Sequence, residues 1–157
     1  MKVSELFETK GRSVLSVMGE QPDHIEKGFN CGEFELTSLE GAPSSVGFYF
    51  NCSYNNLASL EGAPSSVGGN LSCFNNKLTS LHNIHKQIKH IGGIATFNDN
   101  PIISHVLGLL LIDGLKEVFL DNKKVRVILN KHLEGDRDVF ACQEELIEAG
   151  LEDFAQL

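Results

Sequence analysis

Three cysteines recur at an interval of 21 residues, and regularly spaced thiols are the first candidates for metal chemistry. Cys31, Cys52 and Cys73 occupy one position of a repeat, and the next unit has Phe97 there. Zinc requires converging ligands, usually four in a tetrahedron, whereas equivalent side chains on stacked parallel strands all point the same way. A position that accepts Cys or Phe is apolar and inward, because a free thiol behaves as a small buried hydrophobe. The sequence therefore predicts core packing here, and no metal or cofactor.

Four histidines in one stretch of chain could bind a metal or titrate near neutral pH. They are His82, His85, His90 and His105. No carboxylate or cysteine accompanies them at ligand spacing, and Lys86 and Lys89 would repel a cation. We interpret them as surface loop histidines, the first three of which lie in an irregular insertion. Together with His90, the two lysines could equally form a small basic spot for an acidic partner.

The remaining reactive groups form no catalytic constellation. Cys142 lies between Val139 and Leu146 on the apolar face of a predicted helix, and no histidine follows it. The glycine pairs at 68–69 and 92–93 lack the lysine of a phosphate-binding loop, so they indicate tight entries to strands. Acidic residues are scattered over turns, and none pairs as a general acid and base. We expect a protein that is not an enzyme.

The elements that position these residues are the coils of an internal repeat. LTSLEGAPSSVG at 36–47 recurs as LASLEGAPSSVG at 57–68, and a diverged further unit follows if three residues are inserted within 82–90. Each unit contains the eight-residue pattern apolar-x-apolar-x-x-Asn-x-apolar, where x is any residue. This predicts a short strand with alternate side chains inward, then a turn where Asn bonds the backbone of the neighbouring coil. The first unit has Phe34 instead of Asn, which an end coil with one neighbour can tolerate.

Stacked coils of this kind predict an α+β fold: a short leucine-rich-repeat-like solenoid of about four to five parallel strands, with a fifth strand at Leu115 to Leu120. We expect one domain over 1–157, with a small N-terminal cap at 1–20, the solenoid at 21–120 and a helical C-terminal cap at 121–157. The N-terminal cap is predicted from Val3, Leu6, Phe7, Val14, Leu15 and Met18.

The C-terminal part is predicted to be helical from its apolar periodicity. Residues 102–114 should form a helix of roughly three turns, in place of the extended GAPSSV segment of the shorter coils. Asp121 and Asp136 are the expected N-caps of two further helices, and Gly150 is the expected stop. The apolar faces of those helices are Val125, Ile128, Leu129 and Leu133, then Val139, Cys142, Leu146 and Ala149.

Charge and apolar content limit the partners. The chain has 13 Lys and Arg against 21 Asp and Glu, a net charge of -8, which is the wrong sign for gripping nucleic acid. Its longest apolar run, around Val106 to Ile112, is too short to span a membrane, and the start MKVSELFE lacks the apolar stretch of a secretory signal. We therefore expect a cytoplasmic protein with reduced cysteines.

The residues between the inward columns should form the concave face of the solenoid, where such folds usually bind partners. Most are small and polar, so the large apolar groups Tyr49, Phe74, Ile94 and Phe119 stand out as interface candidates. The N-terminal segment or a second copy of the chain could also cover them. The predicted partner-binding residues are Tyr49, Asn51, Asn70, Ser72, Phe74, Ile94, Thr96 and Phe119. The same alternation places Gly28, Asn30, Gly32, Ser53, Asn98, Glu117 and Asp121 on that face.

The stretch NNLASLEGAPSSVGGNLSCFNNKLTSL resembles the short leucine-rich repeats of tailed-bacteriophage proteins and, less closely, those of secreted bacterial effectors. The segments KKVRVILNKHL and CQEELIEAGLEDFAQL resemble the helical tail that accompanies such phage repeats. The resemblance implies a viral protein that acts on another protein in a bacterial host cytoplasm. Some effector relatives append a ubiquitin-ligase domain, but this C-terminal cap is too short for one.

Two functions are compatible with these features. The first is a non-enzymatic binding module that blocks or redirects a host protein, such as a defence factor, through its concave face. The second is a structural or assembly protein that self-associates, as a homodimer for example, or attaches to a viral particle.

Overall fold

The computed structural model describes residues 11–157 as an α+β solenoid of stacked parallel coils. Its strands are very short, and helices occupy the two ends and one insertion. The strands are β1 His24–Ile25, β2 Phe29–Asn30, β3 Ser45–Val46, β4 Phe50–Asn51, β5 Ser66–Val67, β6 Leu71–Ser72, β7 His90–Ile91, β8 Ile94–Thr96 and β9 Glu117–Phe119. The helices are α1 Val14–Met18, α2 Ile84–Gln87, a 3-10 helix Leu107–Leu111, α3 Lys123–Glu134 and α4 Val139–Glu148.

The coils stack as two parallel sheets. One has the order β2-β4-β6-β8-β9 and the other the order β1-β3-β5-β7. In the five-stranded sheet the predicted inward columns are in register, including the diverged fourth unit and the fifth strand: Phe29, Phe50, Leu71, Ala95 and Val118. The four-stranded sheet was not predicted, because the segment expected to be merely extended contributes two paired residues per coil.

Glycine makes the close stacking of this second sheet possible. A Cβ atom on Gly68 would overlap the backbone carbonyl of Gly47, and one on Gly92 would overlap that of Gly68. Each pair therefore marks a point where neighbouring coils touch through bare backbone. The prediction that the glycine pairs form tight strand entries is confirmed, since they separate β5 from β6 and β7 from β8.

Buried asparagines join each inner coil to the preceding one, as predicted. The Asn76 side chain accepts a hydrogen bond from the Leu57 amide at 3.0 Å and donates to the carbonyls of Cys52 and Cys73. Asn55 and Asn100 repeat this pattern one coil earlier and one coil later. Among the described residues no coil precedes the first one in this sheet, which explains why it needs no asparagine there.

The predicted three-turn helix over 102–114 is wrong. Only a 3-10 helix at Leu107–Leu111 forms. His105 adopts a left-handed φ of 58°, which interrupts a right-handed helix. The amides of His105, Val106 and Leu107 donate to carbonyls of the C-terminal tail at 153–156, so this tail holds the segment in an irregular path.

The two predicted helix caps are also wrong, each by one or two residues. Asn122 caps α3 by accepting from the Val125 amide, and Asp138 caps α4 by accepting from the Ala141 amide. Asp121 instead accepts from the backbone of Asp99 on the neighbouring coil. The stop at Gly150 is confirmed by its left-handed φ of 76°. The predicted apolar faces are buried, except for half-buried Val139 and exposed Ala149.

The N-terminal end is covered on one side by α1. Ser13 and Ser16 cap this helix reciprocally, and the Leu15 amide donates to the Glu40 carbonyl of the first coil at 2.9 Å. The predicted cap residues Val3, Leu6 and Phe7 lie outside the described residues. None of the helices between residues 11 and 157 has the length and apolar character needed to cross a membrane.

Candidate functional site

The structure places all eight predicted partner-binding residues on one surface, formed by the outward side chains of β2, β4, β6, β8 and β9 and the residues directly beside them. We name this the five-strand face. Tyr49 and Asn70 are exposed there, and the other six are half-buried. Ser53, which alternation also placed on this face, is only 1% exposed.

Tyr49 is positioned by a glycine on the neighbouring coil. Its ring lies over Gly28, where an added Cβ would collide with the ring carbons. Gly28 and Tyr49 occupy equivalent places one residue before β2 and β4. Because Gly28 has no side chain, the Tyr49 ring can pack against the first coil, and 48% of the tyrosine surface stays exposed.

Three asparagines on the face are oriented by their own backbone surroundings. The side-chain oxygens of Asn30, Asn51 and Asn70 accept from the amides of residues 32, 53 and 94, at 2.9 to 3.0 Å. A backbone amide can bond only the oxygen of a side-chain amide, which settles the orientation of each group. Their NH2 groups have no protein acceptor among residues 11–157 and offer donors to a bound molecule.

A second aromatic feature lies where the strands end. The rings of Tyr54 and Phe74 pack edge to face with centroids 4.8 Å apart, and Tyr54 is 50% exposed. We name these two residues the aromatic pair. Sequence reasoning singled out Phe74 but missed Tyr54, which had been assigned to the turn. The available signal was a large aromatic residue where the equivalent turns of later coils have Asn75 and Asp99.

The last strand of the face is closed against further pairing. The side chain of Asn130 on α3 accepts from the Val118 amide at 2.8 Å and donates to the Val118 carbonyl at 2.9 Å. Arg137 binds the carbonyls of Ile112 and Leu115 on the same coil. The Arg126 guanidinium also lies 5.9 Å from the centre of the Phe119 ring. The C-terminal helices thus occupy the edge that would otherwise extend the sheet.

The cysteine column is part of the core. Cys31, Cys52 and Cys73 are fully buried, and the sulfurs of the last two lie 3.1 Å apart. Burial raises the pKa of Cys31, and the contact with Cys73 together with burial raises that of Cys52. Burial also raises the pKa of Cys142 to about 12. The raised pKa values make the thiols of Cys31, Cys52 and Cys142 poor nucleophiles near neutral pH.

One of the histidines has a carboxylate partner, which was not expected from the sequence. The His90 Nδ1 lies 2.9 Å from an oxygen of Asp113 on the next coil. Ser66 is in register with His90 on the other side, but the His90 ring leans towards Gly114. Among the described residues, the Ser66 hydroxyl makes no hydrogen bond to this ring, so the three groups form no nucleophile relay.

The other histidines surround the α2 insertion. His82 and His105 pack edge to face at 4.9 Å, and the His85 Nδ1 is buried without a hydrogen-bond partner among residues 11–157. Burial is the main cause that lowers the pKa of His85, and the nearby charges of Lys86, Lys89 and His82 lower it further. Across the described chain, no three His, Cys, Asp or Glu side chains are grouped to hold a metal ion.

Two surfaces away from the five-strand face are also noteworthy. An open cleft of about 420 Å³ lies between residues 58–61 of the second coil and residues 78–87, which include α2, and is lined by Glu61, His82 and Lys86 among others. On α4, Phe140 is 79% exposed and Ile147 lies seven residues later, also exposed. Spaced by two helical turns, they form a small apolar stripe.

Comparison of the chain with protein-family models, with curated proteins and with solved structures finds no match.

Proposed function

We propose that the chain is a non-enzymatic protein-binding module of the leucine-rich-repeat type. The observation that carries the proposal is the five-strand face itself: exposed aromatic rings and oriented amide donors on a sheet whose coils are cross-linked by buried asparagines. Such a surface loses little conformational freedom on binding, and aromatic anchors supply much of the affinity of protein interfaces.

The partner we propose is a bacterial host protein in the cytoplasm, which the chain, as a viral protein, blocks or redirects. This rests on the resemblance of the repeats and C-terminal helices to phage proteins. The leucine-rich-repeat assignment is supported by the 21-residue period and by the asparagines that bridge successive coils. Occlusion of a surface requires no reaction, in keeping with the buried cysteines and with a Ser66 hydroxyl that makes no hydrogen bond to His90.

The test is affinity capture from bacterial lysate with the wild type, Phe74→Asp and Ile103→Asp, read by mass spectrometry. Ile103 is an exposed apolar residue away from the face, so its variant controls for the added charge. We expect one host protein to be retained by the wild type and Ile103→Asp and lost by Phe74→Asp. Equal retention by the wild type and both variants would show that the partner binds elsewhere.

Assembly of copies is the second candidate, favoured by the apolar stripe of Phe140 and Ile147. Sedimentation analysis of the wild type and Phe140→Asp decides between the two. A dimer that dissociates in Phe140→Asp would favour assembly through α4. A monomer at all concentrations would exclude self-association and favour the binding module.

A further inference from the structure

The turn that follows each of the first four strands of the five-strand face has a left-handed residue, and one of these residues is unusual. Glu33, Tyr54, Asn75 and Asp99 are equivalent, with φ of 66°, 56°, 54° and 56°. Asn and Asp adopt this conformation readily, whereas it is unfavourable for a bulky aromatic residue. Tyr54 nevertheless occupies it with half of its surface in solvent, against Phe74.

Carboxylates flank the aromatic pair on both sides. Glu33 lies one coil before Tyr54, and Asp99 lies two coils after Tyr54 and one coil after Phe74. Neighbouring strands of such a stack are about 4.8 Å apart. Both acids are exposed. The charged groups at these four turns and within two residues of them are Glu33, Glu35 and Asp99, against Lys77, and Arg12 binds the Phe34 carbonyl beside Glu33. The local excess is negative, like the net charge of -8 of the whole chain.

We propose that the aromatic pair binds an arginine side chain on a basic segment of the protein partner. A guanidinium can stack on the tyrosine ring while its N–H groups reach flanking carboxylates. The charge of the surroundings distinguishes this occupant from a purely apolar one, which would gain nothing from Glu33 and Asp99. The proposal rests on the proposed protein-binding function and identifies the chemistry that the partner presents.

The chain carries a built-in reporter for this site. It has two tyrosines and no tryptophan, so Tyr49→Phe leaves Tyr54 as the sole source of tyrosine fluorescence. The probe is a Gly-Ser peptide with spaced arginines, titrated into the Tyr49→Phe protein. Matched peptides have glutamine or glutamate at every arginine position.

We expect the arginine peptide to change the Tyr54 fluorescence, with an affinity that falls as salt is raised. The glutamine and glutamate peptides should leave the fluorescence unchanged. No response to the arginine peptide, or an equal response to the glutamine peptide, would overturn the proposal.

Paired variants in the same background separate local recognition from overall charge. Glu33→Gln with Asp99→Asn should weaken arginine-peptide binding by about twofold or more, whereas Glu134→Gln with Glu148→Gln, on the exposed surfaces of α3 and α4, should have little effect. In the protein that retains Tyr49, read by calorimetry, Tyr54→Asn should weaken binding about two- to fivefold. Equal weakening by both acidic pairs would indicate bulk attraction and contradict a specific site.

The peptide result and the lysate result can fail independently. Capture of a host protein that depends on Phe74, without arginine-peptide binding, would leave the proposed function standing and remove this inference. Arginine-peptide binding at Tyr54, with no host protein captured, would support the site and count against the host-protein function.

Discussion

Buried asparagine is the residue that holds successive coils in register. Asn76 serves one backbone amide and two backbone carbonyls, on both its own coil and the one before. All of these groups lie in the interior, where an unmatched amide or carbonyl costs free energy. Where the backbone turns, these groups need a side-chain partner, which explains the buried polar residue in each inner coil.

We expect Asn76→Ala to lower the free energy of unfolding by roughly 3 kcal/mol, since three buried backbone groups lose their partner. Asn56→Ala, at an exposed position of the preceding turn, should change it by less than about 0.5 kcal/mol. Urea unfolding of both variants measures the difference. Equal midpoints would show that water replaces the side chain without loss.

The left-handed backbone at Tyr54 makes a separate prediction about stability. Tyr54→Gly should be more stable than Tyr54→Ala by roughly 1 kcal/mol, the reverse of the usual order, because glycine accepts a positive φ without steric cost. Both variants lose the contact with Phe74 equally, so thermal unfolding of the two isolates the backbone contribution. A more stable alanine variant would mean that the turn relaxes to a right-handed conformation.

At the scale of elements, α3 and α4 close the sheet and hold each other in place. Asn130 binds both backbone groups of Val118 at the edge of β9. The carboxylate of Glu145 on α4 lies 2.9 Å from Lys131 and 2.8 Å from His132 on α3. Edge protection and helix pairing thus come from side chains on one pair of helices.

We predict that Asn130→Ala lowers the free energy of unfolding by about 1 to 2 kcal/mol and accelerates amide exchange at Val118, because two hydrogen bonds to the strand edge are lost. Hydrogen exchange followed by NMR measures the local effect. Unchanged protection of the Val118 amide would mean that α3 covers this edge without the asparagine.

The pairing of α3 with α4 should be sensitive to acid. Hydrogen bonds from Lys131 and then His132 lower the pKa of Glu145 from its ordinary value of 4.5. The folded state therefore holds this proton less tightly than the unfolded state does, and the stabilisation is present above the ordinary pKa and lost as pH falls through the folded value. We expect wild type and Glu145→Gln to differ in unfolding free energy near about pH 6 and to converge as pH falls below the folded pKa of Glu145. A constant difference would show that the carboxylate charge contributes nothing.

The whole molecule is a one-dimensional stack, and its stability depends on contacts between neighbouring coils. Leu57 lies in the inward core and is fully buried, whereas Phe74 lies on the outer surface of the sheet and is half-buried. The same substitution at these two positions should therefore have unequal effects on the stack.

Leu57→Ala should lower the free energy of unfolding by roughly 2 to 5 kcal/mol, and Phe74→Ala by about 1 kcal/mol. Circular dichroism during thermal unfolding compares them. If Phe74→Ala proves as destabilising as Leu57→Ala, the loss of partner capture in Phe74→Asp would reflect unfolding rather than a lost contact.

The amino-acid sequence by itself determined the stacking of the coils. Residues 21 positions apart face each other in register, so the inward columns, the asparagine bridges and the outward placement of Tyr49 and Phe74 could be read from the repeat. A parallel stack places equivalent residues together, and one period therefore specifies many contacts at once.

Only the tertiary structure decided what depends on contacts outside that period. The tail at 153–156 bonds the chain near His105 and leaves a 3-10 helix where apolar periodicity predicted three turns. The Asp121 side chain binds the Asp99 amide of the neighbouring coil, and Asn122 caps α3 instead. Tyr54 joined Phe74 because residues of adjacent coils meet where the chain turns. The first two outcomes depend on backbone groups that are distant in sequence, and the third on a ring of the next coil, so the local patterns that predict helices and caps do not specify them.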